Sequence, residues 1–264
     1  MATLTSPRFR KLGFVLLVSI GLFILWRQFR PYQLPPLDVL LPAGELRVGI
    51  DPAHPPFAYY DSDGTISGLE PTLGEWLGER FNIPIRFVTL GYDGLYDALL
   101  THQVDILIAS VIVDPARTDV FTYSTPYFNA GFVLVSSSHS PIQTMSELEG
   151  KTLAFAYGSS AHEQANRWHR RLDTFIDHPY ETAIDALDAV RLGESAGVLV
   201  EAASALEYLA DHPTWQAHQF EVTVLPYAIV TRAEAGELSS AIDYVLRQIL
   251  ISPEWATLLE NTFE

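Results

Sequence analysis

The chain has 264 residues, 48% of them apolar, which is enough to bury a sizeable core and excludes a mainly disordered polymer. It carries 16 Lys and Arg against 32 Asp and Glu, and the first 37 residues hold five of the bases and none of the acids. The remainder is therefore strongly acidic, which excludes nucleic acid and anionic lipid headgroups as its partners, and the absence of cysteine excludes disulfides, a thiol nucleophile and a lipid-attachment cysteine.

Taken in chain order, residues 1–30 read as a signal anchor or transmembrane segment. The apolar core, residues 12–26 (LGFVLLVSIGLFILW), is flanked by Arg8, Arg10 and Lys11 before it and by Arg27 and Arg30 after it. It is shorter than the roughly 20 residues a spanning helix prefers and has the length of a secretory signal core. The arginines directly behind it, the lack of an Ala-x-Ala site and the interfacial residue Trp26 instead suit an uncleaved anchor. Both readings place the acidic domain on the periplasmic or extracellular face of the cytoplasmic membrane. Residues 31–44, rich in proline, form an extended linker.

From residue 45 short apolar runs alternate with amphipathic segments. The pattern predicts strands at 46–50, 85–88 and 105–109 with helices at 70–81 and 94–101 between them. A second round follows: strands at 131–135, 151–156, 174–177 and 197–200, a helical turn at 145–148, and helices at 160–172, 181–192 and 202–211. Ser160-Ala-His-Glu163 has capping-box spacing and opens the first of those helices. A returning strand at 227–231 and helices at 237–250 and 253–260 close the chain. Such alternation argues an α/β fold with mostly parallel sheets. Two rounds joined by two crossovers predict two lobes, 45–130 with 226–264 and 131–225, hinged about a cleft.

The most informative stretch runs from Asp105 to Phe128 (DILIASVIVDPARTDVFTYSTPYF). A buried strand leads through a Pro-containing turn to a lone cation, Arg117, placed where a guanidinium can grip a small anion. Elsewhere, a carboxylate directly after a buried strand, Glu201, is costly unless paired and so faces a cleft or acts as a first-turn helix acid. Ser159 and Ser160 stand at a helix start, where backbone N–H groups can cap the helix or hold an anion. Asp51 follows the first strand and precedes Pro52, so it is either a turn residue or a polar contact.

The ordered series LRVGID (46–51), PPF (55–57) with Tyr59, GTISGL (64–69), ALL (98–100), Arg117, FTYSTPYF (121–128), LEGK (148–151) and Gly158 resembles the extracellular solute-binding proteins of family 3, which serve polar amino acid uptake. The resemblance covers residues 45–264 and implies a two-lobed periplasmic-binding-protein-like fold of type II that closes on a small solute for an ABC importer, without cofactor or metal. It implies that Arg117 and the Ser159 turn receive a ligand carboxylate and that Glu201, where family members usually have Asp, receives the ammonium. Asp51 and Tyr92 fall on cleft positions, Tyr92 where an aromatic commonly stacks on the ligand. Ser110-Val-Ile112 departs from the family's Gly-x-Thr/Ser, so Ile112 lacks the hydroxyl that touches the carboxylate, while Ser110 stays in the expected site.

Other classes have less support. The chain has no GxGxxG, GxxxxGK[ST], GxSxG or HExxH motif, and His162 and His169 are too far apart on one helix to share a metal. Cyclohexadienyl dehydratase-like lyases share the fold and use a cleft carboxylate as a general acid, a role open to Glu201. A membrane-tethered sensory or partner-binding domain is the other alternative. The expectation is a binding protein and not an enzyme.

Overall fold

The structure, a computed structural model, describes residues 35, 40, 41, 43–172 and 175–263. The expected anchor at 12–26 and most of the linker lie outside the described residues. Among the described residues no helix is long and apolar enough to cross a membrane.

The described domain begins with β1 (Leu46–Ile50) and a small meander of β2 (Ala53–His54), β3 (Ala58–Tyr60) and β4 (Ile66–Ser67), which turns into α1 (Leu69–Phe81). Then come β5 (Ile85–Thr89), α2 (Leu95–Leu100), β6 (Ile106–Leu107) and β7 (Phe121–Tyr123). Strand β8 (Phe128–Asn129) leads to a second group: β9 (Phe132–Ser137), β10 (Thr152–Ala156), α3 (Ser160–His169), β11 (Ile176–Tyr180), α4 (Ala183–Arg191), β12 (Gly197–Glu201), α5 (Ala202–Asp211) and β13 (Ala217–Glu221). The chain returns through β14 (Pro226–Tyr227) to β15 (Val230–Arg232), α6 (Gly236–Leu250) and α7 (Pro253–Phe263).

These strands make two five-stranded sheets, in the orders β5-β1-β6-β15-β7 and β11-β10-β12-β9-β13. In the first, β1 runs parallel to β5 and β6; in the second, β10 runs parallel to β11 and β12. The returning strand β15 enters the first sheet antiparallel, beside β6 and β7.

Side-chain alternation explains the layers. Leu153 and Phe155 of β10 pack with Ala161 and Ala165 of α3, whereas Ala154 between them packs with Leu187 and Val190 of α4. In the first sheet Val48 and Ile106 meet Leu73 and Leu77 of α1, while Leu107 faces Leu95 and Leu99 of α2 on the other side. Strands covered on both faces read as nearly continuous apolar runs, as these do apart from Arg47 in β1. Arg47 pins β1 to the start of β6: its backbone N–H and Nε donate to Asp105 Oδ2 at 2.9 Å each, and Nη2 to Oδ1 at 2.6 Å.

The two sheets are joined by a two-stranded ribbon in which β8 pairs antiparallel with β14. Asn129 fastens it: Oδ1 accepts from Gly131 N–H at 3.1 Å and Leu225 N–H at 2.8 Å, and Nδ2 donates to Glu221 at 2.9 Å. The C-terminal helix α7 packs on α5 as well as on α1 and α6.

Three local features differ from the sequence reading. Ser159, not Ser160, is the N-cap of α3, its Oγ accepting from His162 N–H. The reciprocal capping box lies at Thr182 and Asp185, opening α4. The strand expected at 174–177 is observed as Ile176–Tyr180, an edge strand whose position tolerates Pro179.

Candidate functional site

All six residues singled out from the sequence lie at or beyond the carboxyl ends of parallel strands. Asp51 follows β1, Tyr92 follows β5, and Ser110 and Arg117 follow β6; Ser159 follows β10, and Glu201 ends β12. In open α/β sheets that edge is where strand ends and loop backbones leave a ligand crevice.

From the first sheet, Tyr92 and Arg117 line one pocket of about 510 Å³ together with Tyr96, Asp93, Asp97, Ile112 and Asp114. Tyr92 is 50% exposed. The Arg117 guanidinium donates through Nε to Asp114 Oδ2 at 3.1 Å and lies over the Tyr96 ring, 4.4 Å from its centroid. Tyr96 in turn shares a hydrogen bond with Tyr123 at 3.1 Å, and burial together with that bond raises its phenol well above the usual range. Arg117 thus keeps one carboxylate partner while its planar face rests on an aromatic ring, an arrangement that leaves further donors for an incoming anion. Ile112 supplies an apolar wall and bridges to Tyr227.

From the second sheet, Ser160 donates its hydroxyl to Glu201 Oε1 at 2.6 Å. The turn before it is left-handed at Gly158 (φ 76°), whose N–H donates to His162 Nδ1 at 3.0 Å. Tyr157 in the same turn is 72% exposed, the most solvent-accessible tyrosine among the large exposed apolar residues. Ser159 is engaged in capping: its hydroxyl also donates to Ala156 O at 2.7 Å. Tyr227 of the connecting ribbon feels both sides. Burial, then Glu70, Tyr92 and Glu201, push its phenol up to about 12.

Two expected residues also make bonds within the fold. Ser110 is only 6% exposed and turned inward, donating its hydroxyl to Glu70 Oε1 at 2.8 Å, so the expected ligand contact from its side chain gives way to a buried hydrogen bond. Asp51 Oδ1 accepts from Ala53 N–H at 3.1 Å, the turn geometry its place before Pro52 allows.

The residue that sequence reasoning missed is Glu70. It is 0% exposed, and its Oε1 accepts from Ser110 N–H, Ser110 Oγ and Tyr127 Oη, the last at 2.6 Å. Burial, opposed by the hydrogen bonds from Tyr127 and Ser110, pushes its carboxyl up to about 7. The available signal was its helical spacing, because Glu70 shares a stripe with Gly74, Leu77 and Phe81, all buried. Among the described residues no group of His, Asp and Glu is arranged to hold a metal ion.

The family model for bacterial extracellular solute-binding proteins, family 3, matches residues 46–264. The L-cystine-binding protein TcyJ of Escherichia coli K12 is 25% identical over 167 residues, 62% of this chain and 61% of that protein. A putative ABC transporter arginine-binding protein of the same organism is 22% identical over 227 residues, covering 84% of this chain and 92% of the relative. The match therefore spans about three-fifths of the first relative and nearly all of the second.

Among solved structures, the P235GK mutant of ArgBP from T. maritima is 27% identical with a TM-score of 0.51, covering 86% of this chain and 98% of that one. The L-cystine solute receptor of Neisseria gonorrhoeae, in an unliganded open conformation, shares the fold at a TM-score of 0.64 and 19% identity, covering 81% of this chain and 90% of the other. The fold is the two-lobed α/β arrangement of periplasmic binding proteins. With the strand-end site built and the family model matched across both sheets, the chain belongs to the bacterial extracellular solute-binding proteins of family 3.

Proposed function

We propose that the domain binds a small carboxylate-bearing solute, an amino acid in the first instance, between its two lobes and delivers it to the membrane subunits of an ABC importer. One observation carries the reading: a cation, Arg117, and an anion, Glu201, stand beyond the parallel-strand ends of the two different sheets, the charge pattern a zwitterion would bridge. Arg117 receives the carboxylate, assisted by the amides of Ser160 and Ala161 at the start of α3, which Ser159 caps. Glu201, already held by Ser160, receives the ammonium. Asp51, Tyr92 and Tyr157 shape selectivity, with Ile112 as an apolar wall, and Ser110 acts from behind the site. The named relatives bind L-cystine and arginine, both amino acids.

In this reading residues 45–130 with 226–264 make one lobe and 131–225 the other, and contacts from both favour the closed state. No bond is made or broken. The segment 1–30 holds the domain to the outer face of the cytoplasmic membrane.

The deciding experiment is a thermal-shift screen against amino acids including L-arginine and L-cystine, against carboxylic acids lacking an amine, and against prephenate. Binding to the native state raises Tm by mass action. Stabilisation by amino acids alone supports the two-charge clamp, stabilisation by plain acids keeps Arg117 and removes Glu201, and a shift with prephenate followed by turnover replaces the binding role with a lyase. No shift with any of these overturns the reading.

A further inference from the structure

The carboxyl of Glu70 takes no part in the pocket, yet it sits at the root of the segment that forms it. Helix α1 delivers Glu70 to the carboxyl end of β6, where three donors converge on Oε1: Ser110 N–H, Ser110 Oγ at 2.8 Å and Tyr127 Oη at 2.6 Å. Its Oε2 is buried with no hydrogen-bond partner among the described residues. A buried carboxyl with one oxygen triply engaged and the other unpartnered is costly to keep and does more than fill space.

Ser110 shows what is held. Its φ is 50°, in the left-handed region that a residue with a Cβ enters only at an energetic cost. From this kink the chain runs to Ile112 and Arg117, with Val113 N–H donating to Pro226 O at 3.1 Å and Ala228 N–H to Val111 O at 3.0 Å. A grip on the Ser110 amide fixes the angle at which that segment leaves the sheet. Tyr127 completes the clamp by accepting from Ser110 N–H at 3.1 Å.

We propose that Glu70 is a positioning residue which, through Ser110, sets the course of the segment 110–117 and with it the pocket lined by Ile112 and Arg117. Its effect on ligand affinity rests on the amino-acid-binding reading above; its hold on the segment does not. The titratable groups that face it are Asp51 beyond β1, Tyr127 before β8 and Tyr227 in β14, and Asp51 adds to the burial that favours the protonated form. An ionised carboxylate accepts more strongly from the Ser110 amide than the neutral acid does, while burial opposes the ionised form.

The test compares hydrogen exchange in the ligand-free full chain and in Glu70→Gln, which keeps the shape and one acceptor oxygen but not the charge. At pH 8 the variant should lose tenfold or more protection at Ser110 and Val113 while β1 and β5 keep theirs. Unchanged protection at Ser110 and Val113, or a loss spread evenly through the first sheet, overturns the proposal. If Glu70→Gln does not fold, Tyr127→Phe, which withdraws one donor and keeps the carboxyl, should show the same local loss, and its absence is equally decisive. Calorimetry with L-arginine supplies the second arm: a wild type that binds and a variant about tenfold weaker connect the clamp to the site. A wild type that binds no amino acid sinks the functional reading and leaves the exchange result to decide the role of Glu70.

Discussion

Ser160 Oγ donates to Glu201 Oε1 at 2.6 Å, tying the first turn of α3 to the end of β12. The bond holds an exposed carboxylate in one place before any ligand arrives, which lowers the ordering cost of binding. Ser160→Ala should weaken amino acid binding by about 1 kcal/mol, the worth of one such hydrogen bond, with no loss of Tm. Glu201→Gln should weaken an amino acid more than the corresponding amine-free acid; equal losses in calorimetry would remove Glu201 from ammonium recognition.

Arg117 is the second test of the pocket. Arg117→Ala should cost about 2 kcal/mol or more of affinity, because a desolvated guanidinium–carboxylate contact has no replacement. Arg117→Lys should recover only part of it, since the fork geometry and the stacking over Tyr96 are both lost. Full affinity in the alanine variant, with circular dichroism unchanged, would place the ligand elsewhere.

Glu70 makes a pH prediction whose sign follows from its raised value. The folded chain keeps the proton to about pH 7, whereas the unfolded chain releases it near the ordinary 4.5. Between those values the native state binds more protons, so its contribution to stability is complete below about 4.5 and is lost as pH rises toward 7, on the order of 3 kcal/mol. Urea unfolding should show wild type losing stability between pH 5 and 7.5 relative to Glu70→Gln. Parallel curves would show that the carboxyl ionises in both states alike.

Asp105 anchors Arg47 through a two-pronged contact, and the Asp105 hydrogen bond raises the guanidinium pKa further. Asp105→Ala should destabilise the fold by about 2 kcal/mol by stranding a half-buried cation and an amide. The midpoint of urea unfolding reads this directly, and a loss below a few tenths would demote the pair to a surface contact.

Gly131 lies where a Cβ would fall 2.0 Å from the backbone oxygen of Thr223. Gly131→Ala should cost roughly 1–3 kcal/mol, because the obstacle is main chain and cannot turn aside. A variant with wild-type Tm would show that the ribbon repacks freely.

The strand–helix order was legible because both sheets are covered on two sides, and runs such as 106–109 and 197–200 are buried without interruption. Strand β13, with the sequence AHQFE, was not, since an edge strand needs no apolar run and its pairing with β9 appears only in the fold. The candidates Asp51, Arg117 and Glu201 stood out because a charge after a buried strand is conspicuous in sequence. The inward bond of Ser110 was not legible for the complementary reason: its partner Glu70 lies 40 residues away, and a first-turn acid next to Pro71 looks like an ordinary helix start. Only the third dimension shows that it faces inward.

The ribbon that Asn129 fastens has a mechanical meaning. Since one amide side chain grips Gly131 and Leu225 together, and β8 and β14 share hydrogen bonds, the two linking strands bend as a single leaf spring rather than as two independent cords. Twisting one against the other would break those bonds, so the ribbon narrows the ways in which the two sheets can move relative to each other.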